Sequence, residues 1–352
     1  MAATHMADKR IRESDAAGTR VVVLGTGQMG SGMARLVLQR TGLTLVGAFA
    51  RRAERAGQDL GNAIGLATPL GLSIDGDLSA LLQRTRPHIA LQATCSTLED
   101  ALPEVEILAA AGVRIISIAE ELAYPAAASP SQATHLAELA RRHGVAILGT
   151  GINPGFVLDL LVIVLSGACQ SVRRITARRV NDLSPYGPSV LRAQGVGISP
   201  AAFREGVASG AVVGHIGFPQ SIGMIAHALG WSIDRVTQTR EPIISTVRRE
   251  TPFVTVAPGQ VAGCHHTATA FRAGEPVIEL IHPQQIVPQA EGVRTGDTID
   301  IAGSPDLHIA TAPEIPGGQG TVALAVNMIP QVLAAPPGLY AMADLPPPRA
   351  GL

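Results

Sequence analysis

Three glycines, Gly25, Gly27 and Gly30, follow the β-branched run Thr19–Leu24 (TRVVVL) and precede a helical pattern at Ser31–Gln39. This GxGxxG order after a strand and before a helix suits a turn that embraces a pyrophosphate. Gly25 permits the tight turn, Gly27 lets the backbone approach the phosphates, and Gly30 lets helix and strand pack closely. The helix N-terminus adds N–H groups and a partial positive charge. Gly25, Thr26, Gly27, Gln28, Met29 and Gly30 are thus the candidate cradle of a dinucleotide. After the next apolar run, Leu43–Phe49, an acidic residue would hold the ribose 2′-hydroxyl of NAD. The chain has Arg51 and Arg52 there instead. Forked, charge-assisted bonds from guanidinium groups suit a 2′-phosphate. The cofactor expected is therefore NADP, with NAD as the second choice; two solvated surface arginines are the plain alternative.

Other residues of chemical type fall at the ends of predicted strands. The loop Thr94, Cys95, Ser96 follows a strand at Ile89–Thr94 and is expected along the cofactor's nicotinamide ribose. Cys95 reads as a small buried thiol, since no base is placed beside it by sequence. Glu120 and Glu121 close a strand at Val113–Ala119. Adjacent strand residues point to opposite faces, so at most one of the two faces a ligand on the sheet. Asn153 precedes Pro154, which predicts an extended, rigid dipeptide. It could bond a carboxamide or an amine, or simply form a turn. His265 and His266 sit on a strand, and neighbours on a strand cannot both face one metal, so no metal site is expected.

These residues need a frame. Helices at Leu98–Ala111 and Gln132–His143, with Gly112 and Gly144 as stops, alternate with strands at Val113–Ala119 and Val145–Leu148. Such alternation predicts a doubly wound parallel sheet, a Rossmann domain. After Gly155 the pattern changes. Helices are expected at Phe156–Ser166, Pro200–Gly210, Pro219–Leu229 and Gly320–Leu333. Strands are expected at Val172–Val180 and at ISTVRR, GCHHTATAFR, EPVIELIH and DTIDIAG between residues 243 and 303. This reads as an α+β domain with a mainly antiparallel sheet. The expected division is a disordered leader at 1–18, a dinucleotide-binding domain at 19–155 with a C-terminal return at 317–352, and a substrate and dimerisation domain at 156–316.

Composition bounds the function. With 27 basic and 28 acidic residues in 352, the chain lacks the basic surplus that nucleic acid or an anionic membrane surface attracts. No apolar run reaches the roughly 20 residues of a membrane helix. Three widely spaced cysteines suggest neither a zinc ribbon nor a disulfide framework, and fit a reducing, cytoplasmic setting.

The stretch Gly25-Thr-Gly27-Gln-Met-Gly30-Ser-Gly32-Met-Ala-Arg35 resembles the opening of 2,4-diaminopentanoate dehydrogenases, NAD(P)-dependent enzymes of anaerobic ornithine breakdown. Glu120–Pro125, Gly149–Phe156, Asn181–Gly187, Gly217–Ser221 and the tail Pro337–Pro346 are similar too and occur in the same order. The wider family has a dihydrodipicolinate-reductase-like fold and includes native amine dehydrogenases. The resemblance implies a dimeric enzyme that converts an amine to a ketone with release of ammonia, reversible as reductive amination. It implies a carboxylate that holds the substrate ammonium and shuttles protons. That residue maps to the Glu120–Glu121 pair, with Glu120 preferred from its spacing to Phe156. Asn153 joins the site by the same resemblance. Phe156 would wall a substrate pocket, with Asn181, Tyr186 and His266 as further lining residues. Tyr186 and Arg192 could meet a substrate carboxylate, although such residues are more often structural.

Two alternatives accompany this expectation. An imine reductase of the dihydrodipicolinate reductase type would carry a His-His-x-x-Lys run. Here Thr267-Ala268-Thr269 follows the histidines, with no lysine. A non-catalytic NADP-binding sensor would bind cofactor without turnover.

Overall fold

The structure, a computed structural model, describes residues 18–351. The leader expected at 1–18 lies outside them except for Gly18. The chain divides into two compact units, one running to Gly155 and resuming at Gly318, the other Phe156–Gly317. Among the described residues no helix is long and apolar enough to cross a membrane.

The first unit opens with β1 (Thr19–Leu24), α1 (Gln28–Gln39) and β2 (Leu43–Phe49). Val21 to Leu24 are buried almost completely, which is why a run of valines reads as strand. On α1, Gly30, Met33, Ala34 and Val37 turn inward at helical spacing. The two-residue β3 (Ile74–Asp75) and α2 (Leu78–Thr85) follow; the sequence pattern does not announce them. Asp77 caps α2 by accepting from the amide of Ala80 at 3.0 Å. Next come β4 (Ile89–Gln92), α3 (Leu98–Ala110), β5 (Arg114–Ser117), α4 (Pro130–His143) and β6 (Ala146–Gly149). Gly144, at φ 69°, ends α4 in the left-handed conformation, as its sequence position implied.

The second unit begins with α5 (Leu160–Ser166), shorter than expected because residues 153–159 form turns. Its long strand β7 (Ser171–Asp182) leads to α6 (Pro188–Ala193), α7 (Pro200–Ser209) and α8 (Phe218–Ala228). Then come β8 (Arg235–Ile244), the short ribbon of β9 (Arg249–Glu250) and β10 (Thr255–Val256), β11 (Val261–Arg272), β12 (Glu275–Gln285), β13 (Gly296–Ser304) and β14 (Leu307–Thr311). The strand expected at ISTVRR is one element too late. The strand is β8, and residues 245–248 bend away while Ser245 Oγ bonds the carbonyl of Val247. The sheet runs β14-β13-β7-β12-β11-β8. It is antiparallel except where β12 pairs with β7, so it is mixed. Arg179 on β7 is buried and pairs with Asp297 of β13 at 2.7 Å, so the charge is matched inside the unit.

The chain then forms α9 (Gly317–Asn327) and α10 (Ile329–Ala334), which break the single helix expected at Gly320–Leu333. Pro330 at the start of α10 cannot extend α9's hydrogen-bond ladder. β15 (Gly338–Tyr340) pairs with β6. The first sheet is therefore seven-stranded and wholly parallel, in the order β15-β6-β5-β4-β1-β2-β3. This is a doubly wound arrangement that gathers strand carboxyl ends along one edge.

Gly149 closes that edge. A Cβ there would fall on the carbonyl of Leu122 and lie 2.5 Å from the amide of Ala123. We expect Gly149→Ala to destabilise the chain by about 1–3 kcal/mol through overpacking. A lowered urea midpoint at unchanged slope is the check.

Candidate active site

The glycine turn has the geometry of a cradle. Gly25 stands at φ 96°, and a Cβ on it would lie 2.5 Å from the carbonyl oxygen of Ala93. A Cβ on Gly30 would collide with the carbonyl of Gly25. Those two glycines are required by the fold itself. Gly27 differs: its Cβ would meet nothing within 4 Å, so the backbone faces open space there. Gly27 caps α1 with no side chain. An uncapped helix start facing space suits a phosphate, so the residues present fit a dinucleotide. Thr26 is buried, Gly27 and Gln28 are exposed, and Met29 is half-buried.

Beside the turn, β2 ends at Phe49, whose carbonyl accepts from the amide of Gly25 at 2.8 Å. Arg51 is engaged within the unit. Its Nε donates to Glu104 at 2.6 Å and its Nη2 donates to the carbonyl of Asp100 at 2.5 Å. Its Nη2 also lies 3.9 Å from Cys95 Sγ. Arg52 stays exposed, with Glu54 at 3.9 Å as its nearest ion-pair partner. Thr94 donates its hydroxyl to Glu104 at 2.6 Å. Burial pushes the Cys95 thiol above its ordinary pKa, which keeps it protonated and poorly nucleophilic. Glu104 is a site residue that the sequence reading missed. The signal was present: it falls on the same face of α3 as Ala101, Val105 and Leu108, a charge on a buried stripe.

The glutamate pair is not on the strand. β5 ends at Ser117, and Glu120–Ala123 form a single turn of 3₁₀ helix. The strand prediction ran too long because Ile118 and Ala119 are apolar; Ile118 still bonds back to Gln92, yet the chain turns there. The two carboxylates then have separate environments. Glu121 accepts the amide of Leu98 at 2.7 Å and so caps α3 together with Thr97. Glu120 lies beside Ser96, whose side chain it bonds, and burial pushes its carboxyl up to about 7. The neighbouring charge of Glu121 adds to the rise, while bonds to Ser96 and to its own backbone oppose it. Asn153 sits in a turn after β6, with a cis bond to Pro154, instead of the extended dipeptide expected.

In the second unit, Phe156 is half-buried at the start and Tyr186 packs against the cluster of Leu183, Leu191 and Ile286. Arg192 is exposed on α6. Asn181 and His266 belong to a buried polar seam. His266 Nδ1 accepts the amide of His215 at 3.0 Å, and its Nε2 bonds Gln238 at 2.9 Å. His282 Nε2 bonds Asn181 at 3.1 Å. The His215 ring stands edge-on to Phe218 and to His282, each at 4.8 Å. Burial drives His215 and His266 down to about 3, and His282 also falls well below its ordinary value. All three rings are therefore neutral at physiological pH. Among the described residues no group of three His, Cys, Asp or Glu side chains is arranged to hold a metal. His215 and His282 escaped the sequence reading. For His282 the period-two row Ile278, Leu280, His282, Gln284 on β12 was the available signal.

Known proteins resemble this chain in sequence and fold. Residues 19–118 match the N-terminal family of dihydrodipicolinate reductase, and residues 156–352 match the C-terminal domain family of 2,4-diaminopentanoate dehydrogenase. The chain is 43% identical to a 2,4-diaminopentanoate dehydrogenase from Acetoanaerobium sticklandii, over 94% of each chain. It is 24% identical to an amine dehydrogenase from Streptomyces virginiae, covering 92% of this chain and 95% of that one. The structure of an amine dehydrogenase from Mycobacterium smegmatis superposes with a TM-score of 0.85 at 29% identity, over 96% of this chain and 98% of the other. A match this long, at this identity and over both units, leads to one statement: the chain belongs to the 2,4-diaminopentanoate dehydrogenase family.

Proposed function

We propose that the protein is an NAD(P)-dependent amine dehydrogenase that converts a 2,4-diaminopentanoate-like amine to a ketone and ammonia, reversibly, with NADP preferred. One observation carries this reading: Glu120, on the 3₁₀ turn after β5, lies at the same carboxyl edge of the first sheet as the uncapped glycine turn, and burial pushes its carboxyl up to about 7. The family relationship supports the substrate class. Arg51 and Arg52, where an acidic residue would stand at the end of β2, support NADP. The proposed holders of the cofactor are Gly25 to Gly30, the Arg51–Arg52 pair, Thr94 to Ser96 and Asn153. Phe156, Asn181, Tyr186 and His266 are the proposed lining residues for substrate.

In the deaminating direction an ammonium, the oxidised cofactor and water yield a ketone, ammonium ion, reduced cofactor and one proton. The nicotinamide, when bound, accepts the hydride. The protein must hold the ammonium, take its proton and later move protons as water adds and ammonia departs. A carboxyl group with a pKa near 7 can do each of these at working pH. Glu121 is unsuited, since its carboxylate is occupied as a helix cap. Three free cysteines support a cytoplasmic setting. The exposed edge strand β8, with Val236 and Ile244 at 40% and 45% exposure, supports a homodimer.

Three outcomes are expected. Ketone plus ammonium should oxidise NADPH in a spectrophotometric assay, with the amine identified as product; tight NADPH binding without turnover would indicate a sensor instead. Glu120→Gln should lower kcat by about 10²- to 10⁴-fold, whereas Glu121→Gln should keep turnover and lose thermal stability through the cap. Equal turnover in both variants would remove Glu120 from the mechanism. The carboxylate form of Glu120 is the base, so deamination should fall as pH drops through about 7, and a pH profile of kcat/KM should lose that limb in Glu120→Gln.

A further inference from the structure

Residues 93–97 join β4 to α3 and run beside the 3₁₀ turn Glu120–Ala123. Two bonds stitch the segments together. The amide of Glu121 donates to the carbonyl of Ser96 at 3.3 Å, and the amide of Leu98 donates to the Glu121 carboxylate at 2.7 Å. On the other side Leu122 and Ala123 are fully buried, and Gly149 of β6 approaches Leu122 so closely that no Cβ fits between them. The backbone beneath Glu120 is therefore held from both sides.

The loop carries three hydroxyls, and two of them are engaged on α3. Thr94 donates to Glu104 at 2.6 Å. Thr97 donates to the Asp100 carboxylate at 2.8 Å and accepts the Asp100 amide at 3.2 Å. Ser96, half-buried, is the third, and its side chain bonds the Glu120 carboxyl. A hydroxyl donor favours a carboxylate over a carboxylic acid, because the bond to the charged form is the stronger one. Burial acts on Glu120 in the opposite sense, and the charge of Glu121 adds to burial. The other ionisable groups of this edge face one another instead: Arg51 meets Glu104, and Cys95 lies between Arg51 and Thr94.

We propose that Ser96 is the positioning residue of Glu120: its hydroxyl donates to the carboxylate form and holds that form at the edge of the sheet, ready to take a proton from the substrate amine. The proposal rests on the reading of Glu120 as the proton-transfer group of an amine dehydrogenase. The proton passes from the substrate ammonium to the Glu120 carboxylate, and Ser96 keeps its own. This part differs from that of a ribose contact, which would act on the cofactor and not on the carboxyl.

Two readouts on the full chain test it. The first is the pH profile of kcat/KM for deamination of 2,4-diaminopentanoate with NADP, which reports groups of the free enzyme. Ser96→Ala should move the acid limb upward by about one pH unit, so that deamination at about pH 6 falls about tenfold and at about pH 9 stays within about twofold. Ser96→Thr retains the hydroxyl and should keep the limb where the wild-type chain has it. The second is a carbon-13 carboxyl titration of glutamate-labelled protein without cofactor or substrate, with the Glu120 signal identified by its loss in Glu120→Gln. Its midpoint should rise in Ser96→Ala by the same interval. The bond from the Glu121 amide to the Ser96 carbonyl involves no side chain of Ser96, so Ser96→Ala leaves the turn stitched. An unmoved limb and midpoint in Ser96→Ala overturn the proposal, and a raised KM for NADP as the sole change makes Ser96 a cofactor holder only. A shift that persists in Ser96→Thr belongs to packing and overturns it equally. A wild-type chain without turnover overturns the amine dehydrogenase reading, a separate result, and the midpoint measured without substrate still decides whether Ser96 holds the carboxylate.

Discussion

Backbone meeting backbone at glycine is the constraint on which the first unit depends. Gly25 lies against Ala93, Gly30 against Gly25 and Gly149 against Leu122, each closer than a side-chain carbon allows. The first contact seats the phosphate turn on the neighbouring strand. The second seats α1 on that turn. The third presses β6 against the 3₁₀ turn that carries Glu120. Hydrogen bonds join the same edge: Gly25 to Phe49, Ala93 to Leu24, Ile118 to Gln92 and Thr150 to Ser117. A parallel sheet places its strand ends together, and these close approaches keep the loops beyond them low and fixed.

On that rigid edge, three carboxylates of one chemical type acquire three behaviours. Glu104 is buried and satisfied by three donors, so its charge is spent locally on Arg51. Glu121 is spent on the first amide of α3. Glu120 retains few compensating bonds, and its burial raises its pKa to about 7. The differences come from donors supplied by the surrounding backbone and side chains rather than from anything intrinsic to glutamate. The proposed chemistry uses Glu120, whose carboxyl burial pushes up to about 7.

The second unit handles polarity in another way. Its mixed sheet carries a buried seam of neutral histidines in which His266 is held from both ring nitrogens. The amide of His215 fixes Nδ1 as acceptor, so Nε2 carries the hydrogen toward Gln238. Asp159, fully buried, accepts from Leu160 and Ser221 and links α5 to α8. Such networks orient side chains more than they add stability, because each polar group gives up water to enter the core.

The sequence by itself determined the strand, glycine turn and helix at the start, since valine runs and GxGxxG spacing admit few other backbones. It determined the parallel α/β frame through alternating patterns, and the matching stretches along the chain carried the family. It also named Glu120 and Glu121 as a pair, because two adjacent carboxylates are visible in any reading. Tertiary structure alone decided what separates them: Leu98 takes one, and burial beside Ser96 acts on the other. It alone decided that Arg51 is tied while Arg52 is exposed, since Glu104 lies 53 residues away. Short elements such as β3 and the true position of β8 were likewise settled by pairing with strands distant in the chain. The physical reason is common to all of these. Local pattern fixes backbone preference, whereas charge, burial and partnership depend on groups that only the folded chain brings within reach.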